Sequence, residues 1–127
     1  LADKLPTKAL SLKPEWEQLV YNEEKLIENR SWRIKPENLP ITIAIHRSGK
    51  SGAIRCIADV AEILTVPQAK KRFHSQAKHI FGPYCFVLSN IRRLDTPVYC
   101  RGQLRLWNLG ESLLSEIKEN LNGEESI

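Results

Sequence analysis

Apolar and polar positions alternate in several short stretches of this chain, the mark of half-buried strands. From Lys8 to Lys13, Leu10 and Leu12 alternate with Ala9, Ser11 and Lys13. Pro14 then suits the first turn of a helix, with Glu15 and Glu17 near its positive end. Trp16, Leu19 and Val20 fall at helical spacing and predict its buried face. Leu26 to Arg33 is β-like but heavily polar, and Pro36 to Pro40 breaks the pattern. Ile41 to Arg47 predicts a strand with Ile41, Ile43 and Ile45 on one face. After the turn Ser48-Gly49-Lys50-Ser51-Gly52, Ala53 to Leu64 reads as a longer strand antiparallel to it. Thr65 can cap a helix with Pro67 in its first turn and Val66, Ala69, Phe73, Ala77 and Ile80 as its stripe. Gly82-Pro83 ends that helix. Tyr84 to Leu94 is a strand, Asp95-Thr96-Pro97 a turn, and Val98 to Leu109 one or two short strands. Ser112 opens a last helix with Leu113, Leu114, Ile117 and Leu121 on one face, stopped by Asn122-Gly123. Strands dominate and the helices punctuate them irregularly, against a regular βαβ sheet. The expectation is an α+β fold: a small, mostly antiparallel β-barrel with about three flanking helices. Ile41, Ile43, Ile45, Phe86, Leu88 and Phe73 are expected in one core.

A length of 127 residues leaves room for one ordinary domain, and 42% hydrophobic with 27% charged residues is a globular composition. No apolar run approaches a bilayer span, and Leu1-Ala2-Asp3-Lys4 does not read as a signal peptide. Methionine is absent, so Leu1 is not expected to be the natural start. Cys56, Cys85 and Cys100 form neither an even set nor a Cys-x-x-Cys pair, which suits free thiols in a reducing cytoplasm. The net charge of +4 hides an asymmetry. Residues 111–127 hold five glutamates against Lys118 alone, or −4, so residues 1–110 carry +8. Such a body suits a phosphate-bearing partner, because binding releases counterions from nucleic acid. A merely soluble basic surface would look the same.

Gly49-Lys50-Ser51 resembles the end of a phosphate-cradling loop, but that motif needs a glycine where Ala44 stands and must open a helix. It is rejected on both grounds. Asn29-Arg30-Ser31 is a formal glycosylation sequon without secretory context. His74 and His79 lie five apart with no cysteine pair beside them, so no metal site and no cofactor is expected. The informative stretch is Lys25 to Arg33. If Leu26 to Ile34 is extended, Leu26, Glu28, Arg30, Trp32 and Ile34 share one side. A carboxylate and a guanidinium among apolar neighbours must pair or face a ligand cleft. Either Glu28 and Arg30 prop the fold as an ion pair, or Arg30 meets a phosphate or carbonyl edge, Glu28 an amino group and Trp32 a stacked ring. His46 ends its strand opposite in parity to the isoleucines, beside Arg47, Ser48 and Lys50. Lys70, Lys71 and Arg72 read as a solvated face, while Arg92, Arg93, Arg101 and Arg105 add charge late in the chain.

From about Ala9 to Leu109 the chain resembles the ASCH domain, a branch of the PUA-like superfamily. Ala9-Leu10-Ser11-Leu12-Lys13-Pro14-Glu15-Trp16 is similar to the family's opening strand and tryptophan-bearing helix. Lys25-Leu26-Ile27-Glu28-Asn29-Arg30-Ser31-Trp32 resembles its signature of lysine, glutamate three later, then arginine and tryptophan. Ile45-His46, Gly82-Pro83-Tyr84-Cys85-Phe86-Val87-Leu88, Cys100-Arg101-Gly102 and Leu106-Trp107-Asn108-Leu109 look like later blocks. The resemblance implies a PUA-like barrel with a cleft lined by the signature; the domain is expected over residues 1–110, and charge and spacing add an acidic helix and tail at 111–127. The resemblance also implies a role in binding RNA or DNA, often at a particular or modified base. Some small members hydrolyse the acetyl amide of acetylated cytidine with a lysine and a threonine of the signature and a distant glutamate. That lysine falls on Lys25, but the threonine position falls on Glu28, and a carboxylate is a poor acyl-transfer nucleophile. The glycine expected two residues before the lysine is Glu23, and the Arg-Gly pair common before the Ile-His strand is Leu39-Pro40.

The leading expectation is a nucleic-acid, foremost RNA, or modified-nucleotide binding module with a basic cleft. Its residues would be Lys25, Glu28, Asn29, Arg30, Ser31, Trp32 and His46, with Arg47, Ser48, Lys50 and Arg101 near its mouth. The alternative is an enzyme: a nucleoside amidohydrolase using Lys25 and Glu28, or a metal-independent ribonuclease using His46 and Lys25. A protein partner docking on the acidic helix 112–121 is a third possibility. No membrane partner is expected.

Overall fold

The computed structural model describes residues 4–121. Six strands form one mixed sheet: β1 Lys8–Leu12, β2 Ile27–Arg30, β3 Ile41–Arg47, β4 Ala53–Leu64, β5 Tyr84–Tyr99 and β6 Leu106–Asn108. The spatial order is β2-β5-β4-β3-β1-β6. Only β1 and β3 run parallel, joined through Leu10↔Ile45 and Ser11↔His46; the other neighbours are antiparallel. The sheet curls as a half-barrel, and among the described residues its pairings run in one line from β2 to β6. The expected α+β fold is present in this form.

Three helices flank the sheet: α1 Pro14–Tyr21, α2 Val66–Arg72 and α3 Glu111–Leu121. None is long and apolar enough to cross a membrane. Three apolar clusters result. Inside the curl, Leu10, Leu12, Ile43, Ile45, Phe86 and Leu88 pack with Val20 of α1. On the outer face, Ala44, Ile54, Ile57, Val98 and Trp107 are covered by Ile117 of α3. Ile27, Leu64, Ala69, Ile80, Cys85 and Val87 form the third, under α2. Phe73 joins this third cluster and not the Ile43–Phe86 core where it was expected.

The structure corrects several local expectations. In α1 the fully buried residues are Glu17 and Val20, while Trp16 is 42% exposed. Glu17 can go inside because Arg55 of β4 meets both its oxygens, at 2.6 and 2.9 Å. The second helix starts as predicted, with Thr65 and Gln68 forming a reciprocal capping box. It ends at Arg72, because Phe73 leaves the helical region (φ −128°, ψ 52°), and a 3-10 segment, His74–His79, follows. That break takes Ala77 out of the stripe and leaves it exposed. Asp95-Thr96-Pro97 makes no turn, for β5 runs through it. There the pairing with β4 steps from Cys56↔Arg93 to Ile54↔Val98, so residues 94–97 bulge out of the ladder, where Pro97 needs no N–H and the Thr96 N–H donates to Asn120 of α3 instead. The β-like reading of Leu26 to Arg33 shrinks to β2. Within Val98 to Leu109, Val98 and Tyr99 end β5, and β6 is the separate strand. The predicted Asn122-Gly123 stop lies outside the described residues.

Candidate functional site

β2 begins with the most concentrated charge of the interior. Lys25 and Glu28 are 4% and 8% exposed, and Lys25 Nζ lies 2.8 Å from Glu28 Oε1. Lys25 also donates to the carbonyl of Ile27. The second oxygen, Glu28 Oε2, accepts from Arg30 Nε at 2.9 Å. Strand alternation puts Glu28 and Arg30 on one side, as the sequence predicts, and Phe86 stands opposite Glu28 on β5. Arg30 Nη2 then donates to the carbonyl of Ser11 on β1, at 2.9 Å. β6 pairs with β1 only along Lys8, Ala9 and Leu10, so Ser11 lies past its end. A side chain from one end of the half-barrel thus reaches a strand near the other end. Burying Lys25 and Glu28 and half-burying Arg30 is costly, and the mutual hydrogen bonds are what offset it.

Lys25, Glu28 and Asn29 line a cavity of about 210 Å³ together with Trp16, His79 and Phe81. Trp16 and Phe81 are 42% and 72% exposed, so two aromatic rings stand at its rim. Asn29 fixes one of them: its amide oxygen accepts from the N–H groups of Phe81 at 2.7 Å and Gly82 at 2.8 Å. Its amide nitrogen donates to the carbonyl of His79 at 2.8 Å. His79 is buried, and its Nε2 is shut from solvent with no hydrogen-bond partner. Burial, and then the charges of Lys25 and Lys78, hold its imidazole below the ordinary 6.5. The unfolded chain therefore binds this proton first on acidification, and the stability due to neutral His79 is lost as pH falls below 6.5. The thermal midpoint should drop between pH 7 and 5.5, and His79→Gln should flatten that part of the profile. A midpoint just as pH-dependent in the variant would refute the assignment.

His46 sits elsewhere, 1% exposed beneath the loops at the far ends of β1 and β3. The carbonyl of Cys100 can only accept, so His46 Nε2–H donates to it, at 2.9 Å. Nδ1 is left to accept from Ser11 Oγ–H at 2.9 Å, and Ser11 Oγ accepts in turn from the Trp107 indole at 3.1 Å. The backbone crowds this ring from two places. A Cβ on Gly52 would lie 3.0 Å from Nε2, and one on Gly102 2.7 Å from Nδ1.

The residues expected in one cleft are distributed over several places. Lys50 and Arg101 line a second cavity, of about 470 Å³, with Tyr99. Ser48 is partly buried, and its backbone N–H donates to the carbonyl of Leu12 at 2.9 Å. Arg47 turns toward α1, 3.5 Å from Glu17 and 3.4 Å from Gln18. Ser31 is exposed in a bend, and Trp32 lines a third groove with its ring edge-on to Phe86. What joins Arg30 to His46 is Ser11, through its carbonyl and its hydroxyl. Sequence reading missed the roles of Ser11, Trp16, His79 and Phe81. Trp16 at helical spacing reads as core, and an isolated Phe81 before Gly82-Pro83 carries no periodic signal. The three cysteines are free thiols. Burial pushes Cys56 up to about 12 and raises Cys85 and Cys100, which removes them as nucleophiles.

No family model matches the chain, and no curated protein matches it. Solved structures do. The crystal structure of ASCH from Zymomonas mobilis aligns with a TM-score of 0.68 at 16% identity, over 88% of this chain and 93% of that one. A serine-to-alanine variant of that protein aligns with a TM-score of 0.63 at 15% identity, over 88% and 94%. A tyrosine-to-phenylalanine variant gives 0.65 at 17%, over 88% and 96%. The half-barrel, its order of strands and helices and the β2 ion network are thus carried on the fold of ASCH domains.

Proposed function

We propose that this chain binds nucleic acid, RNA foremost, or a modified nucleotide, and receives one base in the cavity between Trp16 and Phe81. The observation that carries the reading is the pairing of two exposed aromatic rings with a buried lysine and glutamate in one cavity. Every base offers a π-face, and stacking on an aromatic ring contributes roughly 1–3 kcal/mol per base. Lys25 uses two of its N–H donors on Ile27 and Glu28, which leaves a third. Glu28 accepts one bond at each oxygen and keeps lone pairs in reserve. A donor and an acceptor side by side suit the hydrogen-bonding edge of a base. The +8 charge of residues 1–110 supports a polyanionic partner.

Both carboxylate oxygens of Glu28 are engaged by cations, and no hydroxyl occupies its place, which speaks against amide hydrolysis at this position. Purified protein is accordingly expected to leave acetylated cytidine intact in a chromatographic assay. Turnover abolished by Lys25→Ala would move the protein to the enzyme class. The binding test is anisotropy with labelled single-stranded RNA. Trp16→Ala and Phe81→Ala remove exposed rings, so they should leave folding intact and weaken binding by roughly five- to a hundredfold. Unchanged affinity in both variants would sink the cavity as the base site.

A further inference from the structure

A groove of about 320 Å³ over Trp32 runs between the β2–β3 connection and the β1–β6 edge. Lys8, Arg33, Lys35 and Arg105 line it, and no carboxylate does. Of the seven arginines outside it, Arg30, Arg47, Arg55, Arg72, Arg92 and Arg93 each lie within 3.5 Å of a carboxylate oxygen, and Arg101, beside Lys50 in the second cavity, is the exception among the described residues. Among the described residues, none of the four groove cations has such a partner. Lys8 donates to the side chain of Asn108. Arg33 lies over the Tyr84 ring at 5.9 Å and Arg105 over Trp32 at 5.8 Å. Four cations without counter-charges, beside an aromatic ring, form a surface complementary to an anion.

We propose that this groove holds the sugar–phosphate backbone of a single-stranded polynucleotide whose neighbouring base enters the Trp16–Phe81 cavity. The proposal rests on the function proposed above and extends it from one base to a strand. Both places hang on the same stretch of chain: Glu28 lines the cavity and Trp32 the groove, at most about 14 Å of extended backbone apart. Arg30, between them, is occupied by Glu28 and Ser11. The fixed aromatic ring favours a polynucleotide strand over a lipid surface. The Trp32 ring is pinned edge-on to core Phe86 with centroids 5.4 Å apart, so it is not free to insert into a bilayer.

The test uses the full chain and three probes: a fluorescein-labelled twelve-nucleotide polyuridylate, uridine monophosphate, and phosphatidylserine vesicles. Lys35→Ser with Arg105→Asn removes two exposed charges, and asparagine suits the left-handed φ of 56° at position 105. Loss of two phosphate contacts should make the log–log salt dependence of oligonucleotide binding shallower by about 1.4, with mononucleotide affinity unchanged. An unchanged slope overturns the groove, and if Trp16→Ala still weakens the oligonucleotide, the base reading survives it. A slope that drops while Trp16→Ala and Phe81→Ala have no effect overturns the base reading and keeps the groove as a strand site. Vesicle binding lost in the double variant, with oligonucleotide binding retained, assigns the groove to membranes and overturns the proposal.

Discussion

Glu28→Ala is expected to cost about 3–5 kcal/mol in urea unfolding, the largest loss from any single change in the candidate site. The cause is what it leaves behind. Lys25 is 4% exposed and, among the described residues, takes its ion pair from Glu28 alone, with the Ile27 carbonyl as its other partner. Removing the carboxylate strands one buried ammonium beside the Arg30 guanidinium, two like charges with nothing between them. Lys25→Met should cost less, because Glu28 keeps its contact with Arg30 at 2.8 Å. The double variant Lys25→Met/Glu28→Gln should recover part of the Glu28→Gln loss, since no buried ammonium remains. The coupling in that cycle should be of order 1–3 kcal/mol. A loss below about 1 kcal/mol for Glu28→Ala would mean that water already solvates Lys25, and the ion network would not close the half-barrel.

Such a network is only half legible in a sequence. Parity alone put Glu28 and Arg30 on one side, and the ion-pair reading of that pairing has its counterpart in the structure, whereas Trp32 lines a different groove from Glu28. The second partner of Arg30 is not local. Ser11 reaches it only because the sheet curls, and curl is a property of the whole strand order. The same distinction runs through the fold. β1, β3 and the capped start of α2 follow from alternation and a capping box, signals contained within a few residues. Where a distant partner decides, local rules fail. Glu17 is buried because Arg55, far along the chain, neutralises it, and Trp16 is displaced to the surface in consequence. Asp95-Thr96-Pro97 has turn chemistry, yet β4 pairs with β5 on both sides of it, at Arg93 and Val98, so it forms a bulge within the strand and not a turn. His46 was legible as an unusual polar strand end. Its burial was not, because Gly52, Cys100 and Gly102, which enclose it, arrive from two later loops.

That enclosure gives the second large effect. Gly102→Ala is expected to destabilise the protein by about 2–4 kcal/mol, by overpacking and by loss of buried hydrogen bonds together. Its Cβ would stand 2.5 Å from Ser11 Oγ and 2.6 Å from His46 Cε1, well inside van der Waals contact. Neither neighbour can swing away cheaply. Ser11 Oγ is held by the Trp107 indole, and the His46 ring is tied to Cys100 with Gly52 close against its Nε2. If the serine yields, the buried Trp107 N–H loses its acceptor. If the 100–105 loop yields, Arg101 and Arg105 leave their grooves, so oligonucleotide affinity should fall along with stability. Gly110→Ala is the control for an added methyl, because nothing lies within 4 Å of it; as the residue whose carbonyl opens α3 it should cost no more than about 1 kcal/mol, from the poorer N-cap alone. Calorimetric midpoints for both variants decide the matter. A Gly102→Ala protein as stable as Gly110→Ala would show that the His46 ring has room to move, and that glycine is not required at position 102.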